Sequence, residues 1–439
     1  METLFRLQEN ETSVKTEVLA GVATFLATMY IIVVNPSILS NADMSFNGVL
    51  TATILVSAFS SIAMGLYANN PIVLAPGMGL NAFFAFSVIL GMGVDWQTAL
   101  GAVFWSGIIF LILSIFNVRT AIVKAIPRQL RYGVACGIGL FIAMIGVMDA
   151  HFIVSDETTI VTMGTLDAVT ITFLVGLAVS SIFVIRKVPA ALILGIIVTT
   201  LLSIPIGRWY GNASEITQGT ATLVTWKGFF APPDFSVFLQ MDFLGSLKLS
   251  VWPVIFAFLF TDMFDSLSTF IGVAEAADLK DDSGEPRNIK QSLIVDGFST
   301  TISGLFGTSA GTSYIESATG IEQGGRTGLT AVTAGILFLP FLFFSPLLSI
   351  VPTVATSPVL VLVGVFMMKP ALRIKWTQFD DAIPAFLAMF LIPLTYSITQ
   401  GIVWGFLSWT VVKLATGRAN EVSPMLYVID AFAILALIV

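Results

Sequence analysis

The chain has one cysteine and one histidine in 439 residues, and only 11% of its residues carry a charge. A lone Cys136 cannot close an internal disulfide or assemble a thiolate metal site. It lies in an apolar run and reads as a small packing residue. A lone His151 leaves no Ser-His, Cys-His or metal-ligand cluster, so an integral-membrane enzyme has no catalytic constellation to build on. Set between Asp149 and Asp156 in an expected outer loop, His151 reads as an exposed residue rather than a proton relay. Soluble domains carry about 25% charged residues. The shortage here excludes an ordinary water-facing surface, and the net charge of −7 says little because most of the acids fall in loops.

What is abundant is apolar: 56% of the residues are hydrophobic and the mean hydropathy is +0.93. Apolar runs of roughly 17 to 25 residues recur, the length a helix needs to cross about 30 Å of hydrocarbon. The expected fold class is therefore an all-α polytopic membrane protein. The run after the first sixteen residues is too long for the apolar core of a cleaved signal, so it is expected to be the first span of a chain whose mature form starts at Met1.

Turn and charge signals divide the runs into spans near Glu17–Ser40, Gly48–Ala68, Ile72–Leu90, Ala99–Phe116, Arg131–Met148, Val169–Ile185 and Pro189–Ile206. A polar stretch containing Asn212, Pro232, Pro233 and Asp234 follows. A second group runs Leu249–Val273, Gln291–Leu305, Ser313–Gly320, Leu329–Leu348, Pro358–Met368, Asp381–Tyr396 and Gly401–Leu414, about fourteen segments in all. The expected organisation is a first seven-segment repeat over 1–208, an external connection over 209–247, a second repeat over 248–416 and a tail over 417–439. Whether residues 424–439 lie at the interface or span is left open by their composition. With a cytoplasmic N-terminus, all of the 20 Lys and Arg except Arg208, Lys227 and Lys248 fall on the inner side, Arg119, Lys124, Lys280 and Lys413 among them.

A shift of 235 residues lays Ser40-Asn41-Ala42-Asp43-Met44 over Glu275-Ala276-Ala277-Asp278-Leu279 and carries Asn81 onto Glu316. Seven is odd, so the two copies are expected in opposite orientations, the inverted-repeat plan of secondary transporters.

Two segments break the rule of continuous membrane helices at matching places. Segment three reads Ala75-Pro76-Gly77-Met78-Gly79-Leu80-Asn81-Ala82-Phe83-Phe84, and segment ten reads Gly307-Thr308-Ser309-Ala310-Gly311-Thr312-Ser313-Tyr314-Ile315-Glu316-Ser317. Each predicts a short extended stretch followed by a half-helix, which is tolerated at membrane depth only where it is buried in protein or lines a cavity. Gly77 and Gly79 do not form a dinucleotide loop, because no β-α-β context surrounds them. In segment eight, Asp262, Asp265, Ser266 and Thr269 recur at helical spacing, so they form one polar stripe that must face the interior. A carboxylate near the bilayer centre costs about 2.5–3.5 kcal/mol on insertion scales.

Asp262, Glu316 and Asp265 are therefore candidates for a direct role, against the plainer reading of acids that hold helices together. Asn81 is a candidate by its repeat position, and Asp296 reads as a structural partner for backbone groups. Arg326 reads as an anchor at the cytoplasmic edge. Phe83, Phe84 and Phe264 lie beside these polar positions and could stack on a flat ligand.

The two broken segments, the Asp262-Met263-Phe264-Asp265-Ser266 stripe, the run Thr312 to Gly320, Gly324-Gly325-Arg326-Thr327-Gly328 and the stretch Pro393 to Ile402 together resemble the azaguanine-resistance branch of the nucleobase:cation symporter-2 family. The resemblance covers nearly the whole chain. It implies fourteen segments in a 7+7 inverted repeat, with a core domain from segments 1–4 and 8–11, a gate domain from segments 5–7 and 12–14, and a homodimer formed through the gate. It also implies proton-coupled uptake of a purine nucleobase (adenine, guanine or hypoxanthine) across the plasma (inner) membrane. Asp262, Glu316, Asn81, Phe264 and Phe83 would then bind substrate, and Glu316, Asp262 and Asp265 would couple protons. The Asn-x-Gly signature of the xanthine, urate and uracil branches is absent from segment ten.

The partners so implied are a purine, a proton, the lipid bilayer and a second copy of the chain, with no nucleic acid, metal or cofactor. The alternative with the same architecture is an anion transporter, which would favour Arg or Lys near the half-helices. Segments three, eight and ten contain neither.

Overall fold

The computed structural model describes residues 2–116, 127–156, 158–210, 229–277, 279 and 286–424, and, beyond these, residues 426, 427, 430, 431 and 434. Arg119, Lys124, Asn212, Lys227, Asp278, Lys280 and much of the tail after residue 424 lie outside the described residues. What is described is mostly helical. Among the described residues, eight helices are long and apolar enough to cross a membrane, and Met78–Gly91, Ala191–Gly207 and Gly328–Phe343 are shorter apolar helices.

Local sequence sets the helix ends. Ser13 caps Val14–Thr28 by accepting the Thr16 N–H, Ser45 caps Phe46–Ala63 and Asp167 caps Ala168–Ile185. The first span is not one straight rod. It divides into Val14–Thr28 and Ile31–Ser40, with Met29 and Tyr30 at the break and Pro36 inside the second piece. The helix Ile289–Phe306 stops at Gly307, whose φ of +93° is a left-handed conformation that favours glycine.

Two groups of helices emerge from the packing. Val14–Thr28 and Phe46–Ala63 pack on Gly328–Phe338, and Trp96–Ile115 packs along Ile289–Phe306. Separately, Arg128–Asp149 packs on both Thr353–Phe366 and Phe379–Leu394, and Ala168–Ile185 packs on Ala191–Tyr210. With no water to expel between helices in lipid, close approach comes from small residues. Gly65 and Gly328 face each other so closely that a Cβ on Gly328 would lie 2.0 Å from the Gly65 carbonyl oxygen. Gly328→Val is therefore expected to push the two helices apart and cost about 1–3 kcal/mol, measurable as a lower melting temperature in detergent. A melting temperature equal to the parent's would show that the contact gives way freely.

Charge is also used inside the second group. Lys413, 1% exposed, places its Nζ 2.7 Å from Asp380 Oδ2, Asp381 Oδ1 and Glu421 Oε2. It thereby ties the end of Ile398–Ala415 to the start of Phe379–Leu394 and to the segment after it. Further along, Thr410 donates to Asp430 at 2.5 Å, so the tail folds back on the same helix.

The two extended stretches expected from segments three and ten are strands. Here β1 (Leu74–Pro76) pairs antiparallel with β4 (Gly311–Ser313) in the register Leu74↔Ser313, Ala75↔Thr312 and Pro76↔Gly311. The shift that carries Asn81 onto Glu316 also carries Pro76 onto Gly311, and those two are register partners. The two repeats thus meet head to head, as an inverted pair requires. A hairpin, β2 (Ile153–Asp156) with β3 (Ile160–Met163), lies on the surface beside His151.

Candidate functional site

The crossing of β1 and β4 builds the site. Gly77 N–H donates to Ala310 O and Tyr314 N–H to Val73 O. In an antiparallel ladder, pairs that exchange bonds alternate with pairs whose backbone groups point outward. Pro76 and Gly311 form an outward-pointing pair, and each carbonyl finds a side-chain donor: Tyr314 Oη donates to Pro76 O at 2.5 Å, and Thr300 Oγ1 lies 3.0 Å from Gly311 O. Gly311 has no room for a side chain, since a Cβ there would lie 2.3 Å from Ser299 Oγ. Beyond the strands, Met78–Ala82 continues as a wider helix over Phe83–Gly91, and Ile315–Ser317 leads into the helical turn Ala318–Glu322.

Around this crossing the structure gathers the acids singled out in the sequence. Asp262 is fully buried on Trp252–Ala277 and lies 2.5 Å from Thr300 Oγ1. Ser266, also on the stripe, is 2.8 Å from Thr312 Oγ1 of β4. Asp265 is the most open member of the stripe and neighbours Asp296, Glu316 and Thr312. Glu316, half-buried, accepts from Tyr30 Oη at 2.8 Å. Asn81 is fully buried, and its Oδ1 accepts from Ser309 Oγ at the entry to β4. The stripe meets β4 through Ser266 and Thr312, while Asn81 and Glu316, one on each half-helix, bond Ser309 and Tyr30.

The other candidates fall into place around them. Phe83 is fully buried and meets Phe258 edge-on, with centroids 4.8 Å apart. Phe84 lies against the same ring at 6.3 Å. Phe264 points along its own helix towards Phe260, 5.9 Å away. Asp296 accepts from the Ser313 hydroxyl at 3.0 Å, so a side chain of β4 is one of its partners where backbone groups were expected. Arg326 is turned inward: its guanidinium donates to Ile321 O and Gly325 O, and its backbone N–H goes to Glu17 Oε1. Glu17 also accepts from Thr327 and Thr330, so it fastens the first span to the segment after the half-helix. His151 is exposed, its Nδ1 4.0 Å from Asp167.

Sequence reasoning missed Tyr30, Thr300, Ser309 and Tyr314. Each is a single hydroxyl among many residues of like composition. It also missed Tyr396, inside the Pro393–Ile402 stretch. Tyr396 sits between the two helix groups: its carbonyl accepts from Ser87 Oγ at 2.6 Å, its ring lies 5.2 Å from Phe141, and its hydroxyl reaches Met148 Sδ at 3.0 Å.

Comparison with known proteins bears on the family and the fold. The profile of a permease family matches residues 15–404. The adenine permease AdeP of Escherichia coli K12 is 42% identical over 439 residues, covering 100% of this chain and 96% of that one. The guanine/hypoxanthine permease PbuO of Bacillus subtilis 168 is 41% identical, covering 98% of each chain. Among solved structures, the transmembrane domain of the cyanobacterial bicarbonate transporter BicA superposes with a TM-score of 0.64 at 15% identity, over 89% of this chain and 97% of that one. The anion transporter SLC26A9 superposes with a TM-score of 0.62 at 11% identity, over 92% and 67%. Those two share the 7+7 transporter fold and no more. The chain is a multi-pass membrane transporter rather than an enzyme, and it belongs to the nucleobase:cation symporter-2 permease family.

Proposed function

We propose that the protein is a proton-coupled uptake permease for purine nucleobases, adenine and/or guanine and hypoxanthine, working by alternating access. The observation that carries this reading is the set of groups at the crossing: three acids, an amide and hydroxyls, with no Arg or Lys on segments three, eight or ten. A purine is a flat, nearly neutral ring with N–H donors and ring-nitrogen acceptors, which carboxylates, an amide and aromatic neighbours suit. An anion would need a cation there, so the fold shared with anion transporters does not carry over their cargo. Relatives named as adenine and as guanine/hypoxanthine permeases, at 42% and 41% identity, support the same substrate class.

In this reading Asp262, Glu316 and Asn81 hold the ring, with Phe264 and Phe83 shaping the space beside it, and Glu316, Asp262 and Asp265 couple the proton. The first helix group acts as the core domain and the second as the gate, with segments 5–7 and 12–14 also forming a homodimer interface in the bilayer. Tyr396 closes the outer side by holding Ser87 of the core to Phe141 and Met148 of the gate. The cation bias sets the N-terminus in the cytoplasm, and the membrane is the plasma (inner) membrane.

The test is uptake of labelled adenine, guanine and hypoxanthine in cells lacking their own permeases, with and without a protonophore. Uptake is expected to be saturable for at least one of the three and to collapse with the protonophore. Uracil, xanthine, nucleosides and sulfate should compete weakly. Strong competition by uracil or sulfate would overturn the substrate assignment.

A further inference from the structure

Asn35 is a fully buried amide in the second half of segment one, Ile31–Ser40, among mainly apolar neighbours. Ser37 and Ser40 turn their hydroxyls back on that helix, to Val33 O and Ser37 O. Asn35 instead reaches across to two other elements. Its Nδ2 donates to Thr53 Oγ1 at 2.7 Å, on Phe46–Ala63, and to Thr308 Oγ1 at 2.8 Å, just before β4. Thr53 gives its own hydrogen to Val49 O at 2.7 Å, so its oxygen accepts from Asn35. Both amide hydrogens are then in use. The carbonyl oxygen Oδ1 has no partner among the described residues. An orphaned buried acceptor is destabilising, and leucine would fill the same place without it. What the amide supplies here is its donor end.

We infer that Asn35 is a positioning residue for the purine site, acting through Thr308 and Ser309 on Asn81. Thr308 and Ser309 are consecutive and fully buried, and they lie in the link between Gly307, at the end of Ile289–Phe306, and β4. One is held by Asn35, and the next donates its hydroxyl to Asn81 Oδ1. That donation fixes which way the Asn81 amide faces. Its oxygen is occupied, and among the described residues its hydrogens meet Met78 Sδ alone, at 4.0 Å. The amide hydrogens are thus left for an acceptor, the class of group that a purine ring nitrogen supplies. The inference rests on the reading of Asn81 as a purine contact and extends it to segment one and to the turn before β4.

Without the Asn35 bond, Thr308 keeps its backbone tie to Ser303 O, so the turn itself still forms. What is lost is the direction of Ser309, and with it the facing of the Asn81 amide. Asn35 and Thr53 belong to the first repeat and Thr308 to the second, so the pin also joins the repeats by side chains beside the strand crossing.

Hydrogen exchange and purine binding by the purified full chain test this. In Asn35→Leu and in Thr308→Val, the backbone amides of residues 307–314 should exchange about fivefold faster in the purine-free protein, as the loss of one neutral hydrogen bond implies. Affinity for adenine or hypoxanthine should fall by a similar factor. The melting temperature of Asn35→Leu should equal the parent's or rise, since the orphaned oxygen is gone. Thr308→Ser should behave as the parent. In an Asn81→Ala background, Asn35→Leu should lower affinity no further. Parent-like exchange in both Asn35→Leu and Thr308→Val overturns the inference. So does an undiminished fall in affinity in the Asn81→Ala background, or a lower melting temperature with unchanged affinity. If the parent binds neither purine, the substrate reading falls, while exchange at 307–314 still decides whether Asn35 positions the turn.

Discussion

Asp262→Asn is expected to lower purine uptake at least 100-fold at equal surface expression, while Asp262→Glu keeps a measurable fraction. The amide copies the outline of the acid, yet it has no proton to release and no anionic state, and it presents two hydrogens where Thr300 already brings one. A hydrogen bond to an ionised acceptor contributes about 1.5–3 kcal/mol, which is about 10- to 150-fold in affinity. Losing the charge change in the cycle adds to this. Glutamate retains the acid and misplaces it by one methylene, so part of the uptake survives. Uptake kinetics of both variants, normalised to surface protein, make the measurement. Parent-like uptake by both would mean that the Asp262–Thr269 stripe only holds helices together.

Glu316→Gln is expected to separate binding from accumulation. Glu316 Oε1 accepts from Tyr30 Oη at 2.8 Å, a bond that an amide oxygen can also accept. The glutamine variant resembles the permanently protonated acid, so it should bind purine within a few-fold of the parent and exchange it across the membrane. Accumulation against a gradient should vanish, and a protonophore should make no difference. Counterflow and net uptake in the same vesicles give the two readouts. Accumulation that stays sensitive to the protonophore would refute the assignment and move the coupling proton to Asp262 or Asp265.

The parts of this site that were legible in the sequence are those that violate the rules of an apolar chain. Charge at Asp262, Asp265 and Glu316 stands out because lipid makes it costly, and the Pro76-Gly77 and Gly311-Thr312-Ser313 stretches stand out because they cannot continue a helix. The repeat shift put the two stretches at matching places, whereas their pairing, Pro76 with Gly311, is a finding of the structure.

What stayed hidden has the opposite character. Tyr30 is one ring in an aromatic-rich chain, and its role comes from the break after Thr28 that turns it towards Glu316. Thr300 stands in a run of Ser299, Thr300 and Thr301, of which only the contacts across helices distinguish it. Lys413 was not legible as the centre of three carboxylates, because Asp380, Asp381 and Glu421 approach it from other elements.

The ladder between β1 and β4 also bears on how the chain is made. One strand comes from each repeat, and the bonds that join them are backbone bonds, which either half lacks until the other arrives. A ribosome that has released only the first repeat has left Ala75 with no Thr312 to pair with and Pro76 O with no Tyr314 to satisfy it. Transport competence must therefore wait for late synthesis. Two separately expressed halves, divided in the connection between the repeats, should each be inert and recover activity only when they meet in one membrane.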